Sequence, residues 1–234
     1  MVKYLDIYET FKSRINDGYY ESNQKLPDGT SLAKEFDCSE LTIKKALDIL
    51  VKDGLVVRKR GSGSYVKRPL SQKHWPHLHG TKENAEALGK KLDTFVINYS
   101  VEPATDFLSE RLNCEEGDML YHVIRVRHLD EQPYAIEDTY MPINVITGLK
   151  KQHIEASIYE HITQNLGLKI HSSMMEITVK NSTDEEAKHL RLSSGDKVVN
   201  VEQVVYLDNG EIFEYSNSKH VCETYSFSTN FIKM

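Results

Sequence analysis

Residues 26–66 read LPDGTSLAKEFDCSELTIKKALDILVKDGLVVRKRGSGSYV, and this stretch decides the fold of the first part of the chain. In its second half Leu41, Ala46, Leu47 and Leu50 keep helical spacing, while Thr42, Lys44, Lys45 and Asp48 lie off that stripe. The pattern predicts a helix from Glu40 to Lys52, with Ser39 at the N-cap position and Gly54 at the C-cap position. A shorter helix, Ser31 to Phe36, is predicted after the break at Pro27. After Gly54 come Leu55-Val56-Val57, the basic run Arg58-Lys59-Arg60, the turn Gly61-Ser62-Gly63, and Tyr65-Val66. That order is strand, turn, strand. Upstream, Tyr4, Ile7, Tyr8, Phe11 and Ile15 make one helical face that Gly18 ends. Three helices followed by a basic hairpin make a winged helix-turn-helix, which places its second helix of the motif in the major groove of DNA.

The same residues carry a resemblance. Leu26-Pro27, the run Ser39-Glu40-Leu41-Thr42 and the hairpin Gly61-Ser62-Gly63 resemble the DNA-binding domain of the GntR regulators. In that family an LP dipeptide opens helix two, Ser-x-x-Thr starts the recognition helix, and G-x-G forms the wing. The resemblance implies double-stranded operator DNA as partner, met by Ser39, Glu40, Thr42, Lys44 and Lys45 of the helix and Arg58, Arg60 and Gly63 of the wing. The family usually carries arginine just after that Ser and again four residues on. Glu40 and Lys44 stand there, so a non-consensus operator is expected. A carboxylate is unfavourable near phosphate but accepts well from cytosine N4.

Length and composition fit this reading. A chain of 234 residues suits two domains. The net charge of −6 is unevenly spread: residues 1–68 hold 13 basic and 10 acidic side chains, the rest 16 and 25. A weakly basic head on an acidic body suits a head that meets phosphate and a body that does not. No apolar run is long enough to span a membrane, and the N-terminus lacks a signal-peptide core, so a cytoplasmic protein is expected. Cys38, Cys114 and Cys222 are odd in number and far apart, which argues against a disulfide framework and reads as three small apolar residues. Residues 69–77 are expected to form a linker, with a proline at each end of PLSQKHWP. His74, His77 and His79 cluster there, but no cysteine or carboxylate at ligand spacing supports a metal site.

From residue 78 to 234 the chain contains an internal repeat. Gly117-Asp118 recurs as Gly195-Asp196, 78 residues on, and Thr105-Asp106, Leu112 and Leu129-Asp130 recur as Thr183-Asp184, Leu190 and Leu207-Asp208. Each copy reads as a short helix, a Gly-Asp turn, a long strand, a turn and another strand. The second helix carries a capping box, Thr183-x-x-Glu186. Between the copies, Ser157 to Leu166 reads as a helix stopped by Gly167. Two helix–hairpin units imply an α+β domain with pseudo-two-fold symmetry around an antiparallel sheet. With the R-x-R strand, a Glu before a Tyr, and SxY at a helix start, this layout resembles the UTRA effector domain, whose fold is similar to chorismate lyase. Together with the head it points to the HutC branch of the GntR family.

Arg125 and Arg127 alternate on one strand among Val123, Ile124 and Val126, so both face one side of an apparently buried strand. Buried guanidiniums need anionic partners. Those partners are either Glu137 or Glu214 within the chain, or a bound anion. The resemblance implies the second: Arg125, Arg127 and Glu137 line an effector cleft, Glu214 matches a further cleft glutamate, and His220 stands where relatives carry tyrosine. Gly80-Thr81-Lys82 precedes a helical segment, and a helix start with a hydroxyl and an ammonium suits an anion. The expected effector is a small anion, a sugar phosphate or carboxylate. No cofactor is expected, and no nucleotide-loop, nucleophile or metalloprotease signature appears in the sequence. A homodimer formed through residues 78–234 is expected, because two half-sites on DNA call for a two-fold. An enzyme on the chorismate-lyase-like body, and a DNA-binding dimer with no ligand, are the alternatives.

Overall fold

The computed structural model describes residues 3–67, 81–87 and 89–227. They fall into two compact units, one drawn from residues 1–76 and the other from 77–226. The proposed linker, His74, His77, His79 and Gly80 lie outside the described residues.

The first unit contains α1 (Lys3–Asn16), α2 (Gly29–Glu35), α3 (Glu40–Lys52) and a hairpin of β1 (Val56–Lys59) and β2 (Gly63–Val66). Ile7, Tyr8 and Phe11 of α1 pack against Leu32 of α2 and against Ile43, Ala46, Leu47 and Leu50 of α3. Each such buried aliphatic or aromatic side chain contributes about 1.5–3 kcal/mol over leaving it in water. One sequence reading is corrected here. Leu41 is 63% exposed, and Ile43, at 1%, takes its place in the core. At about 100° per residue, position 43 lies on the 46–47–50 stripe and position 41 lies roughly 200° away from it. Helix α2 also starts two residues before Ser31, because Asp28 Oδ1 accepts from Ser31 N at 2.8 Å and caps it there. At the other end of the core, the Tyr8 hydroxyl donates to Asp53 Oδ2 at 2.7 Å and ties α1 to the C-cap of α3.

The second unit is a six-stranded antiparallel sheet in the order β3-β4-β5-β8-β7-β6. Its strands are β3 (Leu92–Pro103), β4 (Met119–Leu129), β5 (Gln132–Pro142), β6 (Ile170–Asn181), β7 (Lys197–Leu207) and β8 (Ile212–Val221). Helices α5 (Asp106–Leu112) and α8 (Asp184–Leu190) follow β3 and β6. The units β3-α5-β4 and β6-α8-β7 have the same bounds 78 residues apart, so the repeat extends one strand further upstream than its sequence motifs do. The backbone repeats as well: α5 and α8 both end on a left-handed residue, Asn113 at φ 52° and Arg191 at φ 55°. The Thr183–Glu186 capping box forms with both of its hydrogen bonds.

Strand register sorts the side chains onto two faces. One face carries Leu120, Tyr215, Val126, Ile136, Val198 and Val221, against which Leu108 and Leu112 of α5 and Leu190 of α8 pack. The opposite face carries Val123, Met141 and Val205, covered by Ile154, Ile158 and Ile162. Those three come from α6 (Lys151–Ala156), α7 (Ile158–Glu160) and a π-turn at His161–Asn165. The helix expected at Ser157–Leu166 is present as α7 running directly into the π-turn, and α6 precedes it. Ser157 caps α7, accepting from Glu160 N at 3.2 Å, and its extended backbone separates α6 from α7. Short α4 (Thr81–Ala87) touches this same face through Glu137.

Candidate functional site

In the first unit the N-terminal turn of α3 gathers Ser39 and Glu40, both exposed, with half-buried Thr42. Ser39 accepts from Thr42 N at 3.2 Å as the N-cap, and the two hydroxyls share a hydrogen bond of 2.8 Å. The Glu40 carboxylate accepts from the Thr30 hydroxyl of α2 at 2.7 Å. Lys45 is set apart from Lys44, with its ammonium 5.9 Å from the ring of Tyr4 on α1. On the wing, Arg58 is drawn back onto α3, 2.5 Å from Asp48 and 3.5 Å from the Lys44 carbonyl. Arg60 sits exposed at the wing tip. Gly63 holds φ 118°, a conformation that favours glycine, while the nearest atom to a Cβ there, Lys25 Cε at 2.9 Å, belongs to a flexible side chain that can move aside. Thr30 and Asp48 carry no motif of their own; only the packing of α2 and the wing onto α3 reveals them.

In the second unit the arginine strand does what its alternation predicts. Arg125 and Arg127 lie on the same face of β4 and are buried, with side chains 9% and 3% exposed. Glu137, directly opposite Arg125 in register, serves both: its Oε2 is 2.6 Å from Arg125 Nη2 and 3.4 Å from Arg127 Nε. Arg125 Nη1 also donates to the Ile154 carbonyl of α6 at 3.1 Å, and Arg127 Nη1 to Thr94 Oγ1 of β3 at 2.5 Å. The Nε atoms of both arginines are buried without a hydrogen-bond partner. Burial pushes the Glu137 carboxyl up, but Arg127, Arg125 and the Thr81 hydrogen bond outweigh it and hold the group at about 2. Burial brings Arg127 down to about 10, so it stays charged at neutral pH.

The helix start at Thr81 differs from its sequence reading. The Thr81 hydroxyl donates to Glu137 Oε1 at 2.7 Å, and Lys82 Nζ lies 2.8 Å from Glu160 Oε2 of α7. Thr81 is thus brought to the arginine cluster and Lys82 to Glu160, each already engaged by a carboxylate. Glu214, in contrast, makes no ion pair with either arginine among the described residues. It is buried, hydrogen-bonds Ser216 and Tyr159, and burial with the nearby charge of Glu137 lifts its carboxyl to about 7. Tyr159, half-buried beside it, has its hydroxyl pushed well above the usual phenol range. His220 lies between the rings of Tyr134, at 5.2 Å, and Tyr225, at 4.7 Å, with Nδ1 unpartnered. Burial holds the His220 imidazole down at about 4, so it is neutral at pH 7. Tyr159 was visible in sequence as the last residue of the SxY motif. Thr94 reaches Arg127 only through strand pairing, Tyr225 meets His220 from the turn just after β8, and neither had a signal.

The cysteines are half-buried and free, and Cys222 Sγ donates to the Lys197 carbonyl at 3.1 Å. Among the described residues no group of His, Cys, Asp and Glu is placed to hold a metal, and no helix is long and apolar enough to cross a membrane.

Comparison with known proteins agrees with this geometry. Residues 3–66 match the family of bacterial regulatory proteins, gntR family, and residues 87–226 match the UTRA domain. The HTH-type transcriptional regulator GmuR of Bacillus subtilis is 37% identical over 227 residues, covering 94% of each chain. The mannosyl-D-glycerate transport/metabolism system repressor MngR of Escherichia coli is 30% identical over 227 residues, covering 96% of this chain and 94% of its own. The crystal structure of the possible transcriptional regulator YydK from Bacillus subtilis superposes with a TM-score of 0.86 at 28% identity, covering 99% of this chain and all of that one. An N-terminal winged helix-turn-helix on a UTRA body of α+β architecture makes this chain a member of the GntR family of DNA-binding transcriptional regulators, in its HutC-type branch.

Proposed function

We propose that the chain is a dimeric repressor whose operator affinity falls when a small anion occupies the cleft at Arg125, Arg127 and Glu137. One observation carries the reading: two buried guanidiniums share one carboxylate, leaving one positive charge, and neither Nε makes a hydrogen bond. Burying that surplus without a partner is costly, and a phosphate or carboxylate supplies the partner. Thr81, Lys82, Glu214 and His220 then surround the ligand, the uncharged groups reading hydroxyls. The name of the relative MngR supports a carbohydrate-derived anion, since mannosyl-D-glycerate joins a sugar to a carboxylate. The test is a thermal-shift screen of sugar phosphates and sugar carboxylates, followed by operator release measured with each hit. Selective stabilisation together with release supports the reading. Stabilisation by no anion, with operator still bound, leaves a regulator without this effector.

A second copy is proposed to bind through the body. The edge strand β6 leaves Met175, Ile177 and Val179 exposed on one face and Met174 on the other, apolar side chains that a solitary chain would present to water. Sedimentation of the full chain at micromolar concentration should give a dimer; a monomer there removes the two-fold from the proposal.

Glu214 gives a pH dependence. Its carboxyl is raised from 4.5 to about 7, so the folded state favours the neutral form. Stability is therefore lost as pH rises from 4.5 through about 7, where only the unfolded chain ionises freely. Anion binding runs the same way, because ionised Glu214 repels the ligand. Affinity for a carboxylate effector, itself fully ionised across this range, should rise by up to about tenfold between pH 8 and pH 6. Isothermal titration at three pH values checks it, and a flat profile would place Glu214 away from the ligand.

On the head, Lys44 is proposed to meet a phosphate. Lys44→Ala should weaken operator binding about equally for all sequences and reduce the slope of log K against log salt by about 0.9. An unchanged slope removes Lys44 from the interface.

A further inference from the structure

We infer that Glu40, held in place by Thr30, is the residue that fixes one base of the operator, and that this base is cytosine. The inference rests on the DNA-binding reading above and adds a specificity to it. Glu40 occupies the first turn of α3, itself exposed, in a patch with exposed Ser39 and half-buried Thr42. The patch is made of oxygen atoms: two hydroxyls that already bond each other at 2.8 Å, and one carboxylate. A carboxylate entering the major groove has two kinds of donor to meet, cytosine N4 and adenine N6. Adenine sets its N7 acceptor beside N6, and that lone pair repels a carboxylate. Cytosine sets no acceptor of its own beside N4 in the groove. Guanine and thymine offer only acceptors there. Cytosine is therefore the one base that an ionised Glu40 favours outright.

Free glutamate side chains rotate, and ordering one costs much of what a single exposed contact returns. Thr30 removes part of that cost. Its hydroxyl donates to Glu40 Oε1 at 2.7 Å from the first turn of α2, whose own start is fixed by the Asp28 cap. Oε2 is then left to accept from a base. In water this exposed hydrogen bond contributes little; in a desolvated groove it strengthens and fixes the direction of the carboxylate. Thr30 is thus a positioning residue and Glu40 the reading residue. The cations that supply affinity, Lys44 and Arg60 among them, are separate from both.

The experiment selects binding sites from a randomised duplex pool with the full-length protein, then titrates the enriched site and its single-base variants at constant salt. The wild type should enrich cytosine at one fixed position in each half-site, with replacement of that base costing about tenfold or more. Glu40→Gln should lose the cytosine preference and move toward adenine, which glutamine matches with a donor and an acceptor, while the salt slope stays as in the wild type. Thr30→Val, which keeps the shape of the side chain, should cut the cytosine discrimination severalfold, and Thr30→Ser should restore it. Melting temperatures of the three variants near the wild-type value separate these effects from misfolding. Glu40→Gln selecting the same site with undiminished cytosine preference would overturn the inference while the regulator stands. Full discrimination in Thr30→Val would overturn the positioning role. A wild-type protein that enriches no sequence would overturn the DNA-binding reading itself.

Discussion

Arg125→Ala is expected to leave operator binding within about twofold of wild type and to weaken response to the anionic effector by about a hundredfold or more. The first half follows because the substitution lies in the body, and the α3 surface is built on a separate core. The second half follows from what the guanidinium touches. It is the link between Glu137 on β5, at 2.6 Å, and the Ile154 carbonyl of α6, at 3.1 Å. Its loss removes the surplus positive charge and unties α6 from the sheet in one step. A buried charge-assisted contact to a ligand is worth about 1.5–3 kcal/mol, and the loss of a second bond to α6 adds to it. Stability should fall too, by less than the roughly 3–5 kcal/mol of a fully broken buried pair, because Arg127 and Thr81 still hold Glu137. The measurements are operator binding by fluorescence anisotropy with and without effector, and a melting curve. A variant that melts far below the growth range while the wild type binds no anion would make the two arginines structural.

The legible parts of this fold were those written in local patterns. Helix α3 keeps both predicted ends because Ser39 and the turn at Gly54 are chemical signals at fixed positions. The Gly-Asp turns made the repeat visible because a positive φ restricts the residue at Gly117 and Gly195. Strands β3 and β6 were missed for the opposite reason: as edges of the sheet they leave apolar side chains exposed, so the apolar period of β3, at Phe95, Ile97, Tyr99 and Val101, marks its open face, and β6 shows no clean alternation of burial. Leu41 misled because an apolar residue near a helix start resembles a core residue until angle is counted rather than spacing. At the cleft, residue types were legible and partners were not. Sequence named Arg125, Arg127 and Glu137, but register decides that one carboxylate serves two guanidiniums while Glu214 serves none. Of Thr81 and Lys82, Thr81 meets the cluster by donating to Glu137, while Lys82 pairs with Glu160.

Glu137→Gln should be the most destabilising conservative change in the body, and added anion should reverse it. The carboxylate is buried and is the shared countercharge of Arg125 and Arg127. The amide keeps its shape and can still accept hydrogen bonds, but two like charges then face each other with nothing between them. Breaking such a buried arrangement costs about 3–5 kcal/mol. For a unit of this size that lowers the melting temperature by roughly 6–20 °C. The pH profile sharpens the test. In the wild type the Glu137 carboxyl is held at about 2 against an ordinary 4.5, so its stabilisation is fully present above 4.5 and is lost as pH falls toward 2. The variant should lack that limb of the acid transition. Inorganic phosphate or sulfate entering the cleft replaces the missing charge, so the variant's melting temperature should climb with anion concentration more steeply than the wild type's. At a hundred times its dissociation constant the anion returns about 2.7 kcal/mol, most of the loss. Equal stability of the two proteins at pH 7 without anion would mean that the arginines are neutralised elsewhere, and the surplus charge on which the effector site depends would be gone.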